Sequence, residues 1–276
     1  MTASKGPEGT VVGRSGPFVH RVDLPADGRG SAVHVAWTSV DAGSLAFHVL
    51  DSDAPAARAD VAAARRALEA EMGVTPGSTV YLDQVHSADV VWAEGRGWEH
   101  DAPVTADAAV SRDGTRPLAV MVADCLPVVL MDERTGATAV AHAGRRGLLG
   151  GVLENTHARL LSLRPAEDRE APGIRAWIGP GVCGNCYEVP PQMCADAAER
   201  IPAVASRTSW GTPALDLPAG AEAVLASLGA AVERVRACTL EDDRLFSHRR
   251  APGRGRFAGL VWRTPADAST GEAQRG

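Results

Sequence analysis

Three side chains in this sequence could share one metal ion: His86 in DQVHSADV, Cys125 in VADCLPV and His142 in VAHAGRRG. Two imidazoles and a thiolate fill three tetrahedral positions of a zinc ion and leave the fourth open, the pattern of a catalytic site. An open position can lower the pKa of a bound water or orient an anionic nucleophile. The residues lie far apart along the chain, with no local ligand pair to make the spacing diagnostic. A lone buried Cys more often packs, and a lone His more often makes a structural hydrogen bond. The metal reading therefore depends on the elements that carry the three residues. Cys125 and His142 end or interrupt apolar runs that a short turn would make neighbours, whereas His86 must arrive from another strand.

Around these residues lie groups suited to an anion. Gly144-Arg145-Arg146-Gly147 follows His142 and opens a predicted helix, where backbone N–H groups, the helix dipole and two guanidiniums favour phosphate. FSHRRAPGRGRFAG (246–259) gathers His248, Arg249, Arg250, Arg254 and Arg256 in a loop that is either a phosphate clamp or a solvated basic surface. Cys183 and Cys186 form a C-x-x-C pair, with Cys194 and Cys238 elsewhere. Without a second C-x-x-C, free or structural thiols are favoured over a zinc or redox site. The G-x-S-x-G elbow, H-E-x-x-H, the Walker loop and the dinucleotide fingerprint are all absent, which removes the commonest hydrolase, metalloprotease, nucleotide triphosphatase and oxidoreductase readings.

The positioning elements are read from periodicity. SAVHVAWT (31–38) is a predicted strand. A helix capped by Ser52-Asp53 opens near Pro55 and carries the apolar stripe Val61, Ala64, Leu68, Met72. STVYLDQV (78–85) and DVVWAE (89–94) are β-rich, with His86 near the bend between them. LAVMVAD (118–124), PVVLMD (127–132) and ATAVAHA (137–143) are almost wholly apolar, as expected of strands covered on both faces. A helix beginning at Gly147 buries Leu149, Val152, Leu153, Thr156, Leu160 and Leu163. IRAWIG (174–179) is another buried strand. Short helices near 191–200 and 219–229 precede strands near 231–236 and 256–262. Strands outnumber helices and are joined by both turns and helices, which predicts an α+β layered domain with mixed sheets flanked by helices, not a doubly wound sheet.

A chain of 276 residues, 45% of them hydrophobic, can bury a substantial core, and no repeat or long linker divides it. One domain is expected over 17–263, with 1–16 and 264–276 as flexible tails. The absence of a long apolar run or a secretory leader predicts a cytoplasmic protein with no membrane contact. A net charge of −6 with dispersed acids, and the lack of nucleic-acid-binding signatures, argue against a nucleic-acid partner. Five cysteines without a leader point to reduced thiols. A monomer or small homo-oligomer is expected.

Taken together, DQVHSADVV, ADAAV, VMVADCLPVVLMD, AVAHAGRRGLLGGV, WIGPGVCGNCYEVP and FSHRRAPGRGRFAGLVW resemble, in order, the motif series of the YfiH-type laccase-domain family. The resemblance spans about residue 78 to residue 263. It implies zinc on His86, Cys125 and His142, a single α+β domain, and phosphorolysis of purine nucleosides (adenosine, inosine, guanosine, methylthioadenosine), with adenosine deamination also attributed to the family. In that scheme phosphate held by Arg146 and the C-terminal arginines attacks the anomeric carbon. For deamination, in which zinc-bound hydroxide attacks purine C6, Asp124 either carries a proton or only orients its loop, and His48, Gln84, Arg249, Arg250 and Arg256 surround the substrate. The family's older name implies a multicopper oxidase. The chain has no H-x-H pair for a trinuclear centre, so zinc is favoured over copper. The chain also departs from the pattern. Val40 stands where Arg is expected, Ala46 and Ala64 stand where Asn is expected, and the usual W-R-G reads Arg145-Arg146-Gly147, while His48 and Asp51 remain. Two alternatives stay open: a diverged zinc-binding member without turnover, and a zinc-dependent amidase acting on peptidoglycan precursors.

Overall fold

A computed structural model of the chain describes residues 16–25, 30–49, 55–94 and 103–265, with the His48 side chain outside that description. The first half holds β1 (Phe18–Leu24), β2 (Ser31–Thr38), α1 (Pro55–Met72), β3 (Val90–Trp92), β4 (Ala108–Ser111) and β5 (Leu118–Val122). β6 (Leu126–Asp132), β7 (Thr138–Ala143), α2 (Arg145–Gly150), α3 (Val152–Leu161) and β8 (Ile174–Ile178) follow. The chain continues with α4 (Pro191–Arg200), β9 (Ala205–Arg207), β10 (Pro213–Leu215), α5 (Leu217–Ser227), β11 (Ala231–Arg234) and β12 (Phe257–Pro265). None of the described helices is long and apolar enough to cross a membrane.

Two sheets stack face to face. One is antiparallel in the order β1-β2-β12-β5, and the other is mixed, β11-β8-β6-β7-β4-β3, with parallel pairs at its two edges. Strand parity explains the layers. Val33, Val35 and Trp37 of β2, Val120 and Val122 of β5, and Val129 and Met131 of β6 meet in the core between the sheets. The alternate residues of β6, Leu126, Val128 and Leu130, face α3 and α5 on the far side. Ala36, Ala119, Met121 and Leu260 pack beneath Leu68 and Met72 of α1. The central strands are thus buried on both faces, which is why their sequences read as unbroken apolar runs. The α+β layered fold with mixed sheets is the observed one.

Several boundaries differ from the sequence reading. STVYLDQV forms no regular strand. It runs along the open edge of β5 and touches it through a single bridge, Val80 to Leu118, while both ends of the Gln84 amide bond the Met121 backbone, at 2.7 and 2.8 Å. The helix expected from Gly147 is two helices. Gly151, at φ 92°, breaks the path in a left-handed conformation that glycine alone adopts freely. β12 extends to Pro265, where Thr264 and Pro265 pair with Ala32 and Ser31. The Ser52-Asp53 cap, Asp51 and the remaining tail residues lie outside the described residues.

A buried ion pair pins the β6–β7 end of the core. Arg164 donates to both oxygens of Asp132, at 2.8 and 2.9 Å, with neither side chain exposed. Burial alone would push the Asp132 carboxyl up, but the Arg164 and Arg134 donors hold it below its usual range. A depressed folded-state pKa means that this contribution is complete above the unfolded carboxylate value, roughly 4, and disappears as pH falls through the folded value. Arg164→Ala is expected to lower unfolding free energy by about 3–5 kcal/mol, because it strands a buried charge. Urea melts at neutral pH and at pH 3 check this: the difference from the parent should shrink on acidification. A constant difference would mean the pair is not the source.

Candidate functional site

The three predicted ligands converge where the two sheets meet. After β5 the chain leaves the four-stranded sheet and crosses to the six-stranded one, and Cys125 sits on that crossover. Asp124, at φ 88°, makes the bend. His142 lies near the end of β7, with Pro127 of β6 opposite it. His86 adopts φ 63°, so the two non-glycine residues at positive φ among the described residues lie in or beside the same cluster. Cys125 Sγ lies 3.7 Å from His86 Nε2, and the two imidazoles stand edge-on with centroids 4.6 Å apart. One donor atom from each of the three residues falls within 4.8 Å of the other two. Gly144 closes the back of the cluster; a Cβ there would sit 2.8 Å from Cys125 Sγ and from His86 Cδ2.

Asp107 organises this cluster. It is fully buried and accepts from His142 Nδ1 at 2.7 Å and from the backbone N–H groups of Val85, His86 and Ser87 at 3.2, 2.9 and 2.6 Å. Holding Nδ1 leaves Nε2 of His142 as the free donor, which is how a carboxylate orients a metal-binding imidazole. Burial by itself would raise the Asp107 carboxyl, yet His142 and Ser87 bring it down to about 2. Burial opposes charge on Cys125 as well, but His142 and His86 lower its thiol to about 6. His142 moves the other way: against burial, Cys125 and Asp107 raise it to about 9. The cluster thus favours a thiolate beside an imidazolium, and a metal entering it must displace that proton. Sequence reasoning missed Asp107. The available signal was a lone carboxylate leading the apolar strand AAV in ADAAV, a position with no reason to be charged unless it has a buried partner.

The cluster opens into a cavity of about 390 Å³ whose polar wall includes Arg145, Arg249, Arg256, Tyr187 and His248. Of the candidate arginines, Arg249 and Arg256 reach this cavity, with Arg249 laid over the Tyr187 ring at 4.5 Å. Arg250 does not. It braces its own loop by donating to the carbonyls of Thr239, Leu240, Asp242 and Leu245. Arg146 is exposed and lines a neighbouring surface cavity with Met193 and Arg200, and Arg145 lines both that cavity and the one above the three-residue cluster. The helix these arginines open is only six residues long, so the positive field comes mainly from their charges. Gln84 lines the wall, but its amide is engaged by Met121. Asp124 accepts from Thr239 Oγ1 at 2.7 Å and from the Arg249 backbone N–H at 2.8 Å. With both oxygens occupied, it ties the crossover to the arginine loop. Among the departures, Ala46 is buried in the α1 core, Ala64 packs at its edge near Gly43, and the Val40 N–H donates to the Arg244 carbonyl.

Comparisons with known proteins agree with this architecture. The family profile described as multi-copper polyphenol oxidoreductase laccase matches residues 33–264. A protein of Streptomyces griseus named purine nucleoside phosphorylase ORF3 is 41% identical over 231 residues, covering 82% of this chain and 91% of its own. A purine nucleoside phosphorylase of Deinococcus radiodurans is 35% identical over 222 residues, covering 78% and 81%. Among solved structures, Neisseria meningitidis NMB0706 superposes with a TM-score of 0.70 at 31% identity, covering 90% of this chain and 99% of its own. YlmD of Geobacillus stearothermophilus gives 0.72 at 25% identity, covering 93% and 99%.

Proposed function

Because the chain belongs to the YfiH-type multi-copper polyphenol oxidoreductase laccase family, we propose that it is a zinc-dependent purine nucleoside phosphorylase working in the cavity above His86, Cys125 and His142. The observation that carries this reading is the joining of a three-donor cluster to a cavity edged by three guanidiniums. The activity in the names of its relatives, purine nucleoside phosphorylase, requires one cationic subsite for phosphate and one space for a nucleoside. A cavity of about 390 Å³ falls in the range that holds a small organic ligand.

His86, Cys125 and His142 would hold the zinc, which supplies a Lewis acid for an anionic nucleophile or a developing charge. Arg256, Arg249 and Arg145 bind phosphate and aim one oxygen at the anomeric carbon. The new C–O bond forms as the C–N bond to the purine breaks, and the proton given up by the attacking hydrogen phosphate goes to the base as it leaves. In this reading Arg145, which lines the cavity, takes the role for which the sequence suggested Arg146. Asp124 serves by orientation, since Thr239 and Arg249 already occupy its oxygens. The donor set favours zinc over copper for a local reason. A two-histidine, one-cysteine copper site takes a weak axial ligand such as a Met or Gln. The Met121 sulfur is engaged by Arg65 at 3.6 Å, and the Gln84 amide by the Met121 backbone.

Phosphate titration with adenosine tests the proposal. Adenine release should saturate with phosphate, and Arg256→Ala should raise the KM for phosphate by about 10-fold or more, the loss of one charge-assisted contact. Adenine release independent of phosphate, or conversion to inosine, would replace phosphorolysis by hydrolysis or deamination at the same site.

A further inference from the structure

We propose that Cys183, Cys186, Cys238 and Glu241 form a second zinc site, structural in role and separate from the His86–Cys125–His142 cluster. One donor atom from each of the four residues lies within 4.8 Å of all the others. The backbone explains why. Cys183-x-x-Cys186 and Cys238-x-x-Glu241 are two tight turns with the same pattern. The N–H of Cys186 and of Tyr187 return to the Cys183 carbonyl, both at 3.0 Å, and those of Glu241 and Asp242 return to the Cys238 carbonyl, at 3.1 and 2.9 Å. Such turns bring the first and fourth side chains to the same side, as in metal-binding knuckles.

The turns face each other. Gly181 bridges to Cys238, the Thr239 N–H donates to the Gly181 carbonyl at 3.1 Å, and the Cys183 N–H donates to Cys238 Sγ at 3.4 Å. Cys186 Sγ meets Glu241 Oε1 at 3.5 Å. Cys186 and Cys238 are each 7% exposed, and all three cysteines are free of disulfides. Three thiols and a carboxylate crowded at one point repel one another when ionised, and a divalent cation removes that repulsion. Three sulfurs and one oxygen complete a tetrahedral shell with no open position, which suits a structural centre. The Arg250 guanidinium, wrapped around the carbonyls of Thr239, Leu240 and Asp242, offsets the negative charge of a three-thiolate, one-carboxylate zinc.

The placement gives the centre a task. Val182 and Tyr187, which flank the first turn, line the catalytic cavity, and Thr239, inside the second, holds Asp124. A cation joining the turns would fix one wall of that cavity to the crossover carrying Cys125. The sequence offered Cys183, Cys186 and Cys238 but not Glu241, because the second pair is C-x-x-E, distant in the chain.

The test is a metal count on the full chain purified with zinc, with circular dichroism confirming the fold of each variant. The parent should hold two zinc ions per chain, Cys125→Ala one, Cys183→Ser one, and the combined variant none. Cobalt substituted into Cys125→Ala should give an intense thiolate-to-cobalt charge-transfer band, and Glu241→Gln, a mild change at an exposed residue, should weaken cobalt binding in that background by about 10-fold. Folded Cys125→Ala protein with no zinc and no cobalt band would overturn the proposal, as would a mass 2 Da low from a Cys183–Cys186 disulfide. The count does not depend on the phosphorylase reading, which can fail while this site stands.

Discussion

Cys125→Ala is expected to empty the His86–Cys125–His142 site and to lower kcat/KM for adenosine phosphorolysis by on the order of 10³-fold, the scale on which losing a principal electrostatic element slows an enzyme. The thiolate is the one anionic donor of the three. Without it, two imidazoles remain and no anionic donor is left to hold a divalent cation. The substitution removes a side chain at the cavity wall and leaves the strands on either side packed as before, so thermal unfolding should change little. Steady-state rates, zinc content and a melting curve on one preparation separate the effects. Lost activity with the parent's full zinc content, not one ion fewer, would place the metal elsewhere and make Cys125 act without it.

Asp107→Ala is the second large effect, and it should appear in stability as well as in metal affinity. Asp107 accepts from three consecutive backbone N–H groups and from His142 Nδ1, with no exposure to solvent. Its removal leaves these donors without their acceptor, at about 1–3 kcal/mol for each group that finds no water. The His86 turn, held at positive φ, loses its anchor, and the His142 ring loses the partner that presents Nε2. Zinc affinity should fall by about 10- to 100-fold, as for other carboxylates behind metal-binding histidines. Competition with a chromophoric chelator measures this, and a denaturant melt measures the stability loss. An unchanged zinc affinity would mean that His142 is oriented by packing alone.

How much was legible in the sequence depended on whether the cause was local. β2, β5, β6, β7 and β8 announce themselves as apolar runs because both faces are buried, and α1 shows its stripe of Val61, Leu68 and Met72. β4 is four residues of AAVS, too short and too rich in Ala to signal a strand. In β1 polar residues interrupt the pattern, since Arg21, Asp23 and His34 form a cluster of their own at 2.6–3.2 Å. The candidate metal donors were suggested by chemistry and singled out by the resemblance, and the β6–β7 hairpin brings Cys125 and His142 together as their neighbouring runs implied. Arg145 could not be told from Arg146, because a one-residue choice on a helix depends on its rotation against the sheet. Arg250 could not be told from Arg249 for a similar reason, as the fold of the loop decides which guanidinium faces inward. Asp107, Cys238 and Glu241 acquire their partners only through tertiary contacts.

The most direct test follows the phosphorus. Zinc-loaded protein and its Cys125→Ala counterpart would each be incubated with adenosine and inorganic phosphate, with products identified by phosphorus NMR and mass spectrometry. The account predicts ribose 1-phosphate and adenine in equal amounts from the parent and neither from the variant. Free ribose, inosine, or equal ribose 1-phosphate from both proteins would contradict it.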